Sequence, residues 1–180
     1  MVEPRQGLKV LLGPAEIAPR VEALAERLAP LIDDDWIIAP ILLGAMWFAA
    51  DLTRALARRG RSPSFDALWL ASYGDKRASS GEARIVASLQ RPIAGRPVLI
   101  LDEVVETGVS LAAAATIAHQ AGAAQVLTAV FALKPAAGGR AIEPDLAAWQ
   151  APDEFLVGYG MDLGGRFRDL PWIGAAGEPG

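Results

Sequence analysis

The stretch Val98-Leu99-Ile100-Leu101-Asp102-Glu103-Val104-Val105-Glu106-Thr107-Gly108-Val109-Ser110-Leu111 changes character twice. Its opening residues are apolar and mostly branched, which predicts a strand buried on both faces, as in a parallel sheet. The alanine-rich run from Leu111 to Ala121 predicts the helix that follows. Between them a short acidic turn is expected, carrying Asp102, Glu103, Glu106, Thr107, Gly108 and Ser110. In an open α/β sheet ligands bind where strand gives way to helix, because the strand ends leave a crevice there. Backbone N–H groups, Gly108 and the hydroxyls of Thr107 and Ser110 suit a phosphate at the helix N-terminus, while Asp102 and Glu103 suit Mg²⁺ or sugar hydroxyls. The same letters also read as an ordinary strand with a solvated acidic loop and a hydroxyl helix cap.

At 180 residues the chain is expected to form one domain over 1–180, long enough to bury a large core. A formal charge of −4 and a pI near 5.0 leave no basic footprint for nucleic acid. The absence of cysteine excludes a disulfide framework and thiol chemistry, which fits a reducing compartment. The N-terminus lacks the organisation of a signal peptide, and no apolar run approaches the ~20 residues of a membrane span. A soluble, cytoplasmic protein with no membrane partner is expected. The hydrophobic fraction of 52%, largely alanine, hints at an oligomer interface.

Outward from that stretch, Leu8 to Leu12 predicts a short strand. Ile17, Val21, Leu24, Leu28 and Leu31 recur at helical spacing, predicting an amphipathic helix. Asp33-Asp34-Asp35 reads as a solvated turn before the strand Trp36 to Leu42. Leu43-Gly44 opens a second helix that reaches about Arg59, and a glycine at such a turn lets backbone approach an anion. Ala67 to Ser72 and Arg84 to Ser88 read as strands around a polar loop. Gln125 to Leu133 predicts a strand that ends on Lys134-Pro135. A lysine just past a strand end is commonly a solvated charge, but beside the opening stretch it can also aim a cation into the crevice. Ala136 to Pro152 is expected to be an irregular connection, long for a compact domain. Phe155 to Gly174 reads as a short strand, a glycine-rich turn with one acid, a basic-aromatic segment and a terminal strand. His119, alone of its kind, has no partner in sequence and reads as structural.

The run of four apolar residues, two acids, two apolar residues and then Glu106-Thr107-Gly108-Val109-Ser110-Leu111 resembles the phosphoribosyl diphosphate signature of the type I phosphoribosyltransferases. Gly44 to Leu52 with its Phe48-Ala49-Ala50-Asp51-Leu52, Lys134-Pro135, and Phe155-Leu156-Val157-Gly158-Tyr159-Gly160-Met161-Asp162 with Phe167-Arg168-Asp169-Leu170-Pro171 resemble the hypoxanthine–guanine branch. The resemblance covers roughly Leu42 to Gly174. It implies a central, mostly parallel sheet flanked by helices, with a flexible flap about 73–83 and a small C-terminal hood about 150–180. It implies transfer of phosphoribosyl from phosphoribosyl diphosphate to a 6-oxopurine, giving the nucleoside monophosphate in purine salvage.

By the same resemblance Glu106 is the general base, where the family usually has aspartate. Leu43, Gly44, Asp102, Glu103, Val105, Glu106, Thr107, Gly108, Val109, Ser110 and Arg168 bind phosphoribosyl diphosphate. Leu43 stands where the family often has a basic residue, so it offers backbone alone. Lys134, Phe155, Leu156 and Asp162 surround the purine, Lys134 meeting the 6-oxygen and Phe155 stacking. Mg²⁺ is the implied cofactor, held by Asp102, Glu103 and Asp162. The implied assembly is a homo-oligomer, dimer or tetramer. The departures at Leu43, Asp102-Glu103 and Glu106 motivate one alternative, a weakly catalytic or non-catalytic sensor of phosphoribosyl diphosphate or nucleotide. The same reaction with xanthine is a second, open because contacts to the 2-position are largely made by backbone.

Overall fold

The computed structural model describes residues 7–72 and 83–176. The predicted flap at 73–83 therefore lies outside the described residues except for Ala83. The central sheet contains β2 (Ile37–Leu42), β3 (Ser64–Phe65), β4 (Leu68–Ser72), β5 (Ala83–Ala87), β6 (Pro97–Val105), β7 (Gln125–Leu133) and β8 (Leu146–Gln150). Its order is β5-β4-β2-β6-β7-β8, with β3 beside β2. Among the described residues only the β4–β5 pair of this sheet is antiparallel. Among the described residues, α1 (Pro14–Leu28) leads into β2, α2 (Met46–Ala57) links β2 to β3, and α3 (Val109–Gln120) links β6 to β7.

Alternation along β6 divides the core. Leu99 and Leu101 pack with α1 and α2, whereas Val98 and Ile100 pack with α3 on the opposite face. This is why the strand is apolar throughout rather than on one side. Phe131 of β7 lies at the centre of the first layer, edge-on to Phe48 at 5.7 Å and to Tyr159 at 5.0 Å. A second sheet, ordered β1-β10-β9 and antiparallel, joins β1 (Leu8–Leu12), β9 (Phe155–Val157) and β10 (Ile173–Ala176). The hood thus draws a strand from the N-terminus as well as from the expected C-terminal stretch.

Three boundaries differ from expectation. The first helix ends at Leu28, and Leu31 is exposed while Ile32 takes its place in the core. Ala136 to Pro152 is not irregular throughout, because Leu146–Gln150 adds parallel to β7 as the sheet edge. Its sequence, Leu-Ala-Ala-Trp-Gln, lacks the branched residues that announce a strand, so pairing rather than propensity decides it. Finally, β6 continues through Asp102 and Glu103 to Val105, and the acidic turn shortens to Glu106–Gly108. Pairing with β7 holds this extension, up to Val105 opposite Leu133. His119 is exposed in the last turn of α3, and the three aspartates at 33–35 are exposed as expected.

Candidate active site

The strand ends of β6 and β7 form the floor. Gly108 is the N-cap of α3 with φ +71°, and a Cβ there would lie 2.8 Å from the Ile142 carbonyl oxygen. Only glycine fits both conditions. No side chain caps this helix, so the hydroxyl cap weighed from sequence does not form. The first-turn N–H groups, which have no partner within a helix, are left for a ligand beside exposed Thr107 and Ser110.

Asp102 and Glu103 sit behind this turn. Asp102 is 6% exposed and its Oδ1 accepts the Glu103 N–H at 3.0 Å. Burial first, and then the adjacent Glu103 charge, push the Asp102 carboxyl well above the usual carboxylate range. Burial also raises Glu103, against the attraction of Arg168. The Glu103 carboxylate reaches Gly44 so closely that a Cβ on Gly44 would overlap it, and a Cβ on Gly160 would overlap the Gly44 carbonyl. The turn after β2, the acids of β6 and the hood therefore meet at a point that two glycines keep open. The Leu42–Leu43 peptide entering this turn is cis.

Across the crevice, Lys134 Nζ lies 2.6 Å from Glu106 Oε2 and 3.7 Å from Asp153 Oδ1. Its side chain is 12% exposed and that of Glu106 50%. The Lys134 N–H donates to the Val105 carbonyl at 2.9 Å, which anchors the lysine to the end of β6. A cavity of about 270 Å³ spans from Asp102 to Leu111 and takes in Lys134, Phe155, Leu156, Met161 and Asp162. Phe155 is 45% exposed on its rim, with ring surface available for stacking.

Most residues singled out from sequence share this cavity. Leu43, Gly44 and Arg168 do not line it. Gly44 abuts Glu103 from behind, Leu43 is exposed in the turn, and Arg168 is engaged within the hood. Its guanidinium donates to the Gly160 carbonyl and pairs with Asp162 Oδ1, both at 2.5 Å. The other Asp162 oxygen accepts the Gly165 N–H at 2.6 Å. Sequence reasoning missed Val104, Leu111 and Met161 as lining, and Asp153 beside the lysine. Met161 stood next to a named acid, but nothing local marked it.

A divalent cation fits the Asp102–Glu103 pair, since a buried and an adjacent half-buried carboxyl, both raised by loss of solvent, gain from a positive charge. Among the described residues no three acids converge into a metal cage. Such a pair suits Mg²⁺, which keeps waters and takes substrate phosphates alongside one or two carboxylates.

Residues 15–162 match the family model described as phosphoribosyl transferase domain. The chain is 31% identical over 167 residues to the hypoxanthine-guanine phosphoribosyltransferase of Bacillus subtilis, covering 92% of this chain and 91% of that protein. Among solved structures it resembles a hypoxanthine phosphoribosyltransferase of Staphylococcus aureus, with TM-score 0.86 and 27% identity over 95% of this chain and 92% of the other. It also resembles the Trypanosoma cruzi hypoxanthine phosphoribosyltransferase in complex with the product IMP, with TM-score 0.86 and 25% identity over 98% of each chain.

Proposed function

Since the chain belongs to the phosphoribosyl transferase family, in its hypoxanthine–guanine branch, we propose that it joins hypoxanthine or guanine to phosphoribosyl diphosphate, giving IMP or GMP and diphosphate. The observation that carries the reading is the Lys134 ammonium, held 2.6 Å from Glu106 in one cavity with the uncapped N-terminus of α3. That cavity pairs a cationic donor and a carboxylate with an anion cradle, which is what a 6-oxopurine and a sugar phosphate need side by side.

The α3 amides, with Thr107 and Ser110, bind the 5′-phosphate. Phe155 stacks on the purine, the Leu156 backbone meets its edge, and Lys134 donates to the 6-oxygen. As the ribose C1–O bond to diphosphate breaks and the C1–N9 bond forms, positive charge grows on the sugar ring, and the carboxylates beneath it favour that charge. The purine proton passes to Glu106 at N7. Asp102 and Glu103 would hold Mg²⁺, which would supply neutralisation of the leaving diphosphate when bound; Asp162, which does not converge with them, would meet a second ion only on release from Arg168. Gly44 and the Leu43 backbone approach the same diphosphate, and Arg168 reaches it by leaving Asp162.

The reading includes self-association, for which exposed Leu43, Met46 and Trp69 offer apolar surface; light scattering on a gel-filtration peak checks it, and a monomer discards it. It also includes a cytoplasmic site of action. No helix among the described residues is long and apolar enough to cross a membrane. The test of the reaction is diphosphate release with phosphoribosyl diphosphate, Mg²⁺ and each of hypoxanthine, guanine, xanthine, adenine and uracil. Release with hypoxanthine or guanine is expected. Release with no base, while nucleotide still binds, overturns the catalytic reading.

A further inference from the structure

The connection from β7 to β8 turns at Gly138-Gly139, where Gly139 has φ +79° and its N–H donates to the Ala136 carbonyl at 3.1 Å. This turn returns Arg140 to Lys134. The Arg140 side chain is 12% exposed, its Nη2 donates to the Lys134 carbonyl, and its Nη1 donates to both Glu143 oxygens at 2.9 and 3.0 Å. The next N–H, of Ala141, donates to the Thr107 carbonyl at 2.9 Å. The Ile142 backbone then fills the space that a side chain on Gly108 would need.

We propose that Arg140 is a positioning residue that sets Lys134 for purine selection, while the backbone of the next two residues, Ala141 and Ile142, meets the phosphate-binding turn Thr107–Gly108. The inference rests on the function proposed above. Lys134 is held on both sides of its own backbone, by Val105 through its N–H and by Arg140 through its carbonyl, which fixes the point from which its ammonium, paired with Glu106, reaches the 6-oxygen. Arginine is required because its planar fork reaches Glu143 and the Lys134 carbonyl at once, whereas an ammonium is a single point of charge. The Arg140 Nε is buried without a hydrogen-bond partner. The guanidinium is therefore held through Nη1 and Nη2 alone, by Glu143 and the Lys134 carbonyl.

The experiment compares wild type, Arg140→Met and Arg140→Lys by calorimetric binding of IMP and AMP, by turnover with hypoxanthine, and by thermal melting. Arg140→Met is expected to weaken IMP roughly tenfold, the scale of one hydrogen bond from a charged donor, while AMP changes less, so the IMP-to-AMP preference falls. It is also expected to raise KM for hypoxanthine more than it lowers kcat. Arg140→Lys retains the charge without the fork and is expected to behave like Arg140→Met in this ratio, which keeps the test open if the methionine variant does not fold. An unchanged IMP-to-AMP preference in a folded variant, with only the melting temperature altered, overturns the inference. Absence of hypoxanthine turnover in wild type instead overturns the function on which it rests, and the two failures are thereby distinguished.

Discussion

Glu106→Gln separates the chemical role of this side chain from its structural one. The substitution keeps the length and removes both the charge and the basicity. Glu106 is 50% exposed and Lys134 12%, at 2.6 Å. Solvent screens a pair with one half-exposed partner, so its contribution to stability is at most about 1 kcal/mol. For a chain of this size that shifts Tm by roughly 2–4 °C. Lys134 keeps Asp153 at 3.7 Å and is not left without a counter-charge. The loss of a general base costs roughly 10²–10⁴-fold in turnover. Glu106→Gln is therefore expected to melt within a few degrees of wild type, to bind IMP within a few fold, and to release diphosphate from phosphoribosyl diphosphate and hypoxanthine at least about 100-fold more slowly. Stopped-time diphosphate assays alongside calorimetry read both quantities. A folded variant turning over within about threefold of wild type, well under the ~10²-fold general-base range, would refute the assignment of proton acceptance to Glu106.

Lys134→Met removes the cationic donor and is expected to raise KM for hypoxanthine roughly 10–100-fold, the scale of a hydrogen bond from a charged group, with adenine binding spared; equal losses for both bases would contradict the role of the ammonium. Gly160→Ala places a Cβ against the Gly44 carbonyl at φ +102°, a cost of about 2–4 kcal/mol from overlap and backbone strain, seen as a Tm lower by roughly 5–15 °C. An unshifted melt would show that the hood does not press on this turn. Asp102→Asn tests the buried pair through pH. Because the folded Asp102 pKa is raised above its ordinary 3.8, the native chain holds more protons than the unfolded one from there up to the folded value, and stability falls as pH rises through that window. The variant is expected to keep only the shallower fall that Glu103, itself raised by burial, contributes, and to equal or exceed wild type in Tm at neutral pH without Mg²⁺. Parallel pH–Tm curves for the two proteins would contradict it. Added Mg²⁺ is expected to raise the wild-type Tm more at pH 8 than at pH 5, since a bound cation favours the ionised carboxylates.

Much of this protein is determined by its sequence. The apolar run Val98 to Leu101, the helical spacing from Ile17 to Leu28 and the strand Gln125 to Leu133 act through local periodicity, which burial on two faces enforces wherever the chain goes. The spacing from Glu106 to Leu111 marks the cradle, because a left-handed Gly108 and uncapped amides are properties of a few consecutive residues. Tertiary structure alone decides the rest. Asp102 and Glu103 become strand residues because β7 pairs with β6 on through Asp102, Val104 and Val105, and the weakly marked Leu146–Gln150 becomes an edge strand by pairing with β7. The pairing of Glu106 with Lys134, the abutment of Gly44, Glu103 and Gly160, and the reach of Arg140 to the Lys134 carbonyl join residues far apart in the chain. Their contacts depend on where strands and connections end in space, and no local pattern encodes a distance between two strand ends.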